Sequence, residues 1–295
     1  MRNARRETRN REARARTRTP TQSAILSPRV PLPMSRAVLV IADIGGYTKF
    51  MKVHRINLAH AQYVVAQLLE AVIDGAGRKL ELAKLEGDAA FFYATIGDEG
   101  DPDLEPYTRA IADIRREFLR KRDELTLDRV CSCDGCVQAG ELRLKFVAHV
   151  GDVEFQKVKR YTELAGVDVI LVHRLLKNSV PVSEYVLASD AMHAHLPGTL
   201  RELTPELEEE LEGLGKAKLH YVDLEKLGIE HPEVLRSSWC GRVWGWIKMT
   251  WRSIPYFVGT KKSCEGFRNF GPLPQETTPT LLPPAPADGG DGAKS

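Results

Sequence analysis

No stretch of this 295-residue chain approaches the roughly 18 consecutive apolar residues that a membrane-spanning helix needs. No apolar segment follows the basic N-terminus either, so a secretory leader is not expected. Cysteine is scarce and odd in number: there are five, and three crowd into Cys131–Cys136. That excludes an ordinary disulfide framework and suits a reducing, cytoplasmic setting, with free thiols or a metal. Aromatics make up only 7% of the chain, and none is interleaved among the N-terminal arginines. A specific nucleic-acid partner is therefore not expected, because stacking platforms are missing where the positive charge is densest. Internal repeats are absent as well. What remains is 43% apolar and 28% charged, the make-up of a folded, water-facing protein with ample length for a core.

The net charge of +2 conceals an asymmetry. Residues 1–18 carry eight arginines against two glutamates, an excess of +6, which leaves −4 for everything that follows. Residues 1–35 read as a disordered Arg-rich tail and a Pro/Ser/Thr linker, either a native extension or an over-extended start ahead of Met34. Residues 36–225 form the main domain, 226–270 a basic, Trp-rich helical extension, and 271–295 a Pro/Gly-rich tail.

Within the main domain the hydrophobic period alternates between strand and helix. "AVLVIAD" (37–43) is a short buried strand that runs into Gly45 and Gly46. Residues 56–77 show helical spacing and stop at glycines, and 104–125 form a second amphipathic helix with a charged outer face. "KLELAKLEGDAAFFYATIG" (79–97) reads as two strands folded around Glu86-Gly87-Asp88. Residues 142–158 suggest another strand pair turning at Gly151-Asp152, 166–179 a helix, and 184–189 and 215–224 further strands. This order predicts an α+β fold: a ferredoxin-like antiparallel sheet with helices on one face, followed by a C-terminal amphipathic helix.

Two carboxylates stand out. Asp43 closes the first strand and Asp88 sits in the turn of the next hairpin, so neighbouring strands would bring them together. Paired hard oxygen ligands without nearby His or Cys suit Mg²⁺ or Mn²⁺, with substrate phosphates completing the shell. Gly45 and Gly46 allow the backbone to approach such phosphates, with N–H groups of the following helix start, Tyr47 and Thr48, aimed at them. Taken singly, Asp43 is also a plain helix cap and Gly87-Asp88 a plain hairpin turn.

These segments resemble class III nucleotidyl (adenylate/guanylate) cyclases. "ADIGGYTKF" looks like the first metal motif of that superfamily and "KLEGDAAFFYA" like the second. "LKFVAHVGDVEF" is similar to its strand ending in a glycine turn. "RYTELAGVDVILVHRLL" resembles its Gly-x-x-Val-Asn-x-x-x-Arg-Leu segment. The likeness spans roughly residues 36–224, and the cysteine insert also resembles a bacterial branch of the superfamily known only as a domain of unknown function. It implies a nucleoside triphosphate as ligand and two divalent metals held by Asp43, Asp88 and the carbonyl of Ile44. It further implies Lys84 and Glu163 as base readers, Arg174 as the residue that stabilises transition-state charge, and a homodimer whose sites are shared between protomers. The reaction would be slow formation of a 3′,5′-cyclic nucleotide and pyrophosphate; the alternatives are a non-catalytic nucleotide-sensing or dimerisation module, or a membrane-surface scaffold. One position departs from the pattern: Ile170 stands where the superfamily has an Asn that orients the ribose. Losing one such donor costs about 10²–10³ in rate, which leaves a weak activity within reach.

Two features lie outside those motifs. Cys131, Cys133 and Cys136 surround an Asp-Gly turn and offer three thiolates to Zn²⁺, with His149 as a candidate fourth ligand; the alternative is a turn bearing reduced thiols. All four tryptophans fall in residues 238–259, where Cys240, Trp244, Ile247, Trp251 and Ile254 share one helical face. Six Lys or Arg and no acid occur between Val234 and Cys264, a composition suited to peripheral contact with an anionic membrane or to packing on the domain or its dimer mate.

Overall fold

The computed structural model describes residues 34–53, 58–97, 102–128, 138–227, 232–234 and scattered positions between 240 and 260. The described strands are β1 (Ser35–Gly45), β2 (Glu81–Glu86), β3 (Ala89–Thr95), β4 (Arg143–Val158), β5 (Tyr161–Ala165), β6 (Tyr185–Ser189), β7 (Glu206–Leu211) and β8 (Gly215–Asp223). The described α-helices are α1 (Tyr47–Val53), α2 (Leu58–Ala76), α3 (Glu105–Leu127), α4 (Val167–Arg174), α5 (Asp190–His193) and α6 (Gly198–Arg201). The sheet runs β2-β3-β1-β4-β6-β8-β7, with β5 folded back on the far end of β4.

β1 lies at the centre because both of its faces are apolar. It pairs antiparallel with β3 on one side and with β4 along its whole length on the other. Its even-numbered side chains, Val38, Val40 and Ala42, pack with Leu68 and Val72 of α2 and with Ile114 and Phe118 of α3. Its odd-numbered side chains, Ala37, Leu39 and Ile41, meet Val169, Val172 and Leu175 of the α4 segment. The period of two thus serves two cores at once.

The α+β prediction holds, with three corrections. Helices cover both faces, since α4 packs opposite α2 and α3. The sheet is mixed, because β4 and β6 run parallel. Gly151-Asp152 is not a turn: β4 passes straight through, with Gly151 opposite Ala37 and Asp152 opposite Arg36. Gly151 is there for space. A Cβ at that position would lie 2.4 Å from Asp168 Oδ2 and 2.5 Å from His149 Nε2. The chain reverses later, at Lys159, which takes a left-handed φ of 55°. β7, "ELEEEL", escapes an apolar search because it is an edge strand whose Glu206, Glu208 and Glu210 face water; Glu206 and Glu208 pair with Lys218 and Lys216 of β8.

Candidate functional site

Asp43 sits two residues before the end of β1, opposite Ala89 of β3 and Lys145 of β4. Asp88 occupies the turn between β2 and β3, and its carbonyl accepts a hydrogen bond from Ile44 N–H at 3.2 Å. The two carboxylates therefore share one end of the sheet, as their spacing predicts. Burial pushes the Asp88 carboxyl up to about 6, and the Asp43 charge adds to the rise. Burial raises Asp43 as well, while the Lys145 ammonium pulls it back down. Tyr47 is raised by burial and then by the charge of Asp88. Such a pair is costly to keep ionised with only protein around it, and hard carboxylate oxygens of like charge are what a divalent cation relieves. The donor set fits Mg²⁺ or Mn²⁺.

Gly45 is buried between Lys145 and Arg143, and Gly46 adopts a φ of 87°, which lets the strand turn directly into α1. Tyr47 is half-buried and Thr48 exposed in the first turn of that helix. Lys145 escaped the sequence reading. It stands directly before the apolar run Phe146–Ala148 of β4, and its Nζ lies 5.9 Å from the centre of the Tyr185 ring.

The remaining predicted residues do not gather around Asp43 within one chain. Lys84 lies on edge strand β2 and is ion-paired with Glu86 at 2.6 Å. Glu86 in turn lies 3.3 Å from His173 Nδ1, which ties α4 to β2. Glu163 is exposed on β5, opposite Gln156. Asp43 faces Lys145, so the two acids stand eleven positions apart along β4, about 36 Å at strand rise. Arg174 is engaged by Glu212 at 3.1 Å. Ile170 is 50% exposed on α4, not a core residue.

His149 is the candidate fourth zinc ligand. It is buried in mid-strand, with Nδ1 2.6 Å from Ser189 Oγ and Nε2 3.3 Å from Asp168 Oδ1. Cys131, Cys133 and Cys136 lie outside the described residues. In the C-terminal extension, Cys240, Trp244, Ile247, Trp251 and Ile254 are helical and exposed, with Trp251 at 74%. No helix among the described residues is long and apolar enough to cross a membrane.

Several solved structures are similar to this chain. The adenylyl cyclase CyaB from P. aeruginosa aligns at 12% identity and a TM-score of 0.49, covering 65% of this chain and 95% of that one. The guanylate cyclase domain of RhGC from Catenaria anguillulae, solved with GTP, aligns at 18% identity and a TM-score of 0.49, covering 65% and 98%. The family model "Protein of unknown function (DUF2652)" matches residues 65–185. The uncharacterized protein Rv2561/Rv2562 of Mycobacterium tuberculosis is 46% identical over 209 residues, 70% of this chain and 95% of the relative. The chain belongs to the family of that mycobacterial protein.

Proposed function

We propose that this chain is a class III cyclase-like domain that binds a nucleoside triphosphate with Mg²⁺ or Mn²⁺ at Asp43 and Asp88. The observation that carries this reading is the like-charged pair itself, set on two adjoining strand ends with the Asp88 carboxyl raised to about 6. The carbonyl of Ile44 completes the oxygen donors, and the Gly45–Thr48 backbone faces the phosphates. When bound, the metals supply Lewis-acid stabilisation of charge on the transferring phosphate and lower the pKa of the ribose 3′-hydroxyl.

The chain's own part is to hold and orient. Two chains would share each site, because Glu163 stands too far along its own sheet to meet its own Asp43. A partner's Lys84 and Glu163 would then read the base, and its Arg174, released from Glu212, would meet the phosphates. Product is a 3′,5′-cyclic nucleotide with pyrophosphate leaving, formed slowly because Ile170 offers the ribose no hydrogen bond. A second reading, a nucleotide-binding module without turnover, draws on Ile170 and on the engagement of Arg174 by Glu212.

Incubation of the purified chain with ATP or GTP and Mn²⁺ separates the two. Cyclic nucleotide that disappears in Asp43→Ala establishes the enzyme. Metal-dependent triphosphate binding with no cyclic product establishes the module, and absence of both rejects the site.

A further inference from the structure

A second group of ligating side chains lies away from the carboxylate pair, beyond the far end of β6. Asp190 and His193 stand one turn apart on α5, and His220 comes from β8. One ligating atom of each lies within 4.8 Å of the others. The two imidazoles stack with ring centres 3.5 Å apart and an interplanar angle of 8°. His220 Nε2 is 3.2 Å from Asp190 Oδ1.

Each member is held by a different part of the fold. Ser189 caps α5 by accepting from Met192 N–H, which sets the direction in which Asp190 and His193 leave the sheet. His193 Nε2 lies 2.8 Å from Thr204 Oγ1, and that hydroxyl donates to the Arg201 carbonyl at 2.8 Å. The hydroxyl oxygen is therefore the acceptor for His193 Nε2–H, which leaves Nδ1 with its lone pair for a ligand. A histidine oriented through its other ring nitrogen is the usual support for a metal-bound imidazole. His220 is buried, whereas the Asp190 side chain is 64% exposed, so an ion has a way in. The neighbouring cation Lys218 is engaged by Glu206 at 3.0 Å.

We propose that Asp190, His193 and His220 form a binding site for a borderline divalent transition metal, Zn²⁺ foremost, with solvent in the fourth position. Two imidazoles and one carboxylate are a ligand set for Zn²⁺ or Co²⁺; they do not suit Mg²⁺, which takes oxygen. A cation here would meet the Asp190 carboxylate and both rings together, since one ligating atom of each lies within 4.8 Å of the others. Bound there, it clips α5 to β8, which otherwise meet through these side chains at the rim of the sheet.

The test is a Co²⁺ titration of the full chain carrying Cys131→Ser, Cys133→Ser and Cys136→Ser, in excess Mg²⁺ so that thiols and the Asp43–Asp88 pair are removed from competition. The expected result is one Co²⁺ per chain with the visible absorption of a four-coordinate ion, displaced by Zn²⁺. His193→Ala should abolish the colour while leaving the circular dichroism spectrum unchanged. Asp190→Asn should weaken binding by more than the about 10–100-fold that loss of an outer partner costs. His193→Gln serves if the alanine variant does not fold. An uncoloured protein, or the same colour in the folded His193 variant, overturns the proposal. Asp43→Ala in the same background should bind Co²⁺ as before, so failure of the nucleotide site and failure of this one are told apart.

Discussion

The two ends of the sheet treat their acids in opposite ways. At the β1 end, Asp43 and Asp88 are brought together with like charge, and both carboxyls are raised. Toward the other end, Asp168 accepts from Asp152 N–H at 2.6 Å and faces His149, whose second nitrogen meets Ser189. There the Asp168 carboxylate meets a backbone N–H and a histidine supplied by the fold. The first arrangement holds two like charges against the single cation of Lys145; the second sets one acid against a histidine and a backbone N–H. Buried polar groups kept for stability are normally satisfied, so the unbalanced pair is the one that points to function.

Removing either acid at the unbalanced end should have the largest effect. Asp43→Ala or Asp88→Ala should abolish metal-dependent triphosphate binding, measured by calorimetry, while the domain stays folded. Unchanged binding in both variants would mean that the two ends do not differ in the way argued.

Next comes turnover. Ile170→Asn should raise kcat by up to about 10²-fold, the worth of one transition-state hydrogen bond, and Arg174→Ala should reverse most of that gain. Because Ile170 is half-exposed, the new amide is not buried unpaired, and the melting temperature should hold. A stable variant with no gain would favour the non-catalytic module.

At the balanced end the effect should appear in stability. His149→Ala strips partners from Ser189 and Asp168 and opens a small cavity in a buried strand, at a cost of about 2–3 kcal/mol. Thermal unfolding checks it, and nucleotide affinity per folded molecule should be unaltered.

The smallest effect sharpens the contrast most. Asp88 holds its proton more tightly when folded than its ordinary value of 3.8 allows. The folded state is therefore penalised as pH rises from about 4 to about 6, and the penalty is complete above that window. Without metal, the melting temperature should fall across that range; Mg²⁺ should offset the fall, and Asp88→Asn should remove it. A melting temperature that rises with pH through the same window, or an Asn variant less stable than wild type at pH 7, would remove the charge argument.

The meeting of Asp43 and Asp88 was legible in the chain order. An apolar strand that stops on Asp43 and glycines, and a hairpin with Asp88 at its tip, need only nearest-neighbour pairing to meet. The long-range choices were not legible. Gly151-Asp152 reads as a turn because nothing local shows that Asp168, sixteen residues on, needs the space and the N–H. His149 reads as a free ligand because its partners, Ser189 and Asp168, come from distant segments.

The sequence by itself determined the strand and helix periods, the apolar run of β1 and the Asp43 and Asp88 positions, since all of these rest on local spacing and side-chain type. Only the tertiary structure decided that β4 runs unbroken, that α4 covers the second face, that Glu163 and Asp43 stand at opposite ends of one sheet, and that Asp190, His193 and His220 converge. Those facts depend on which strands pair and in what register, and register is set by burial summed over the whole sheet, which no short stretch carries alone.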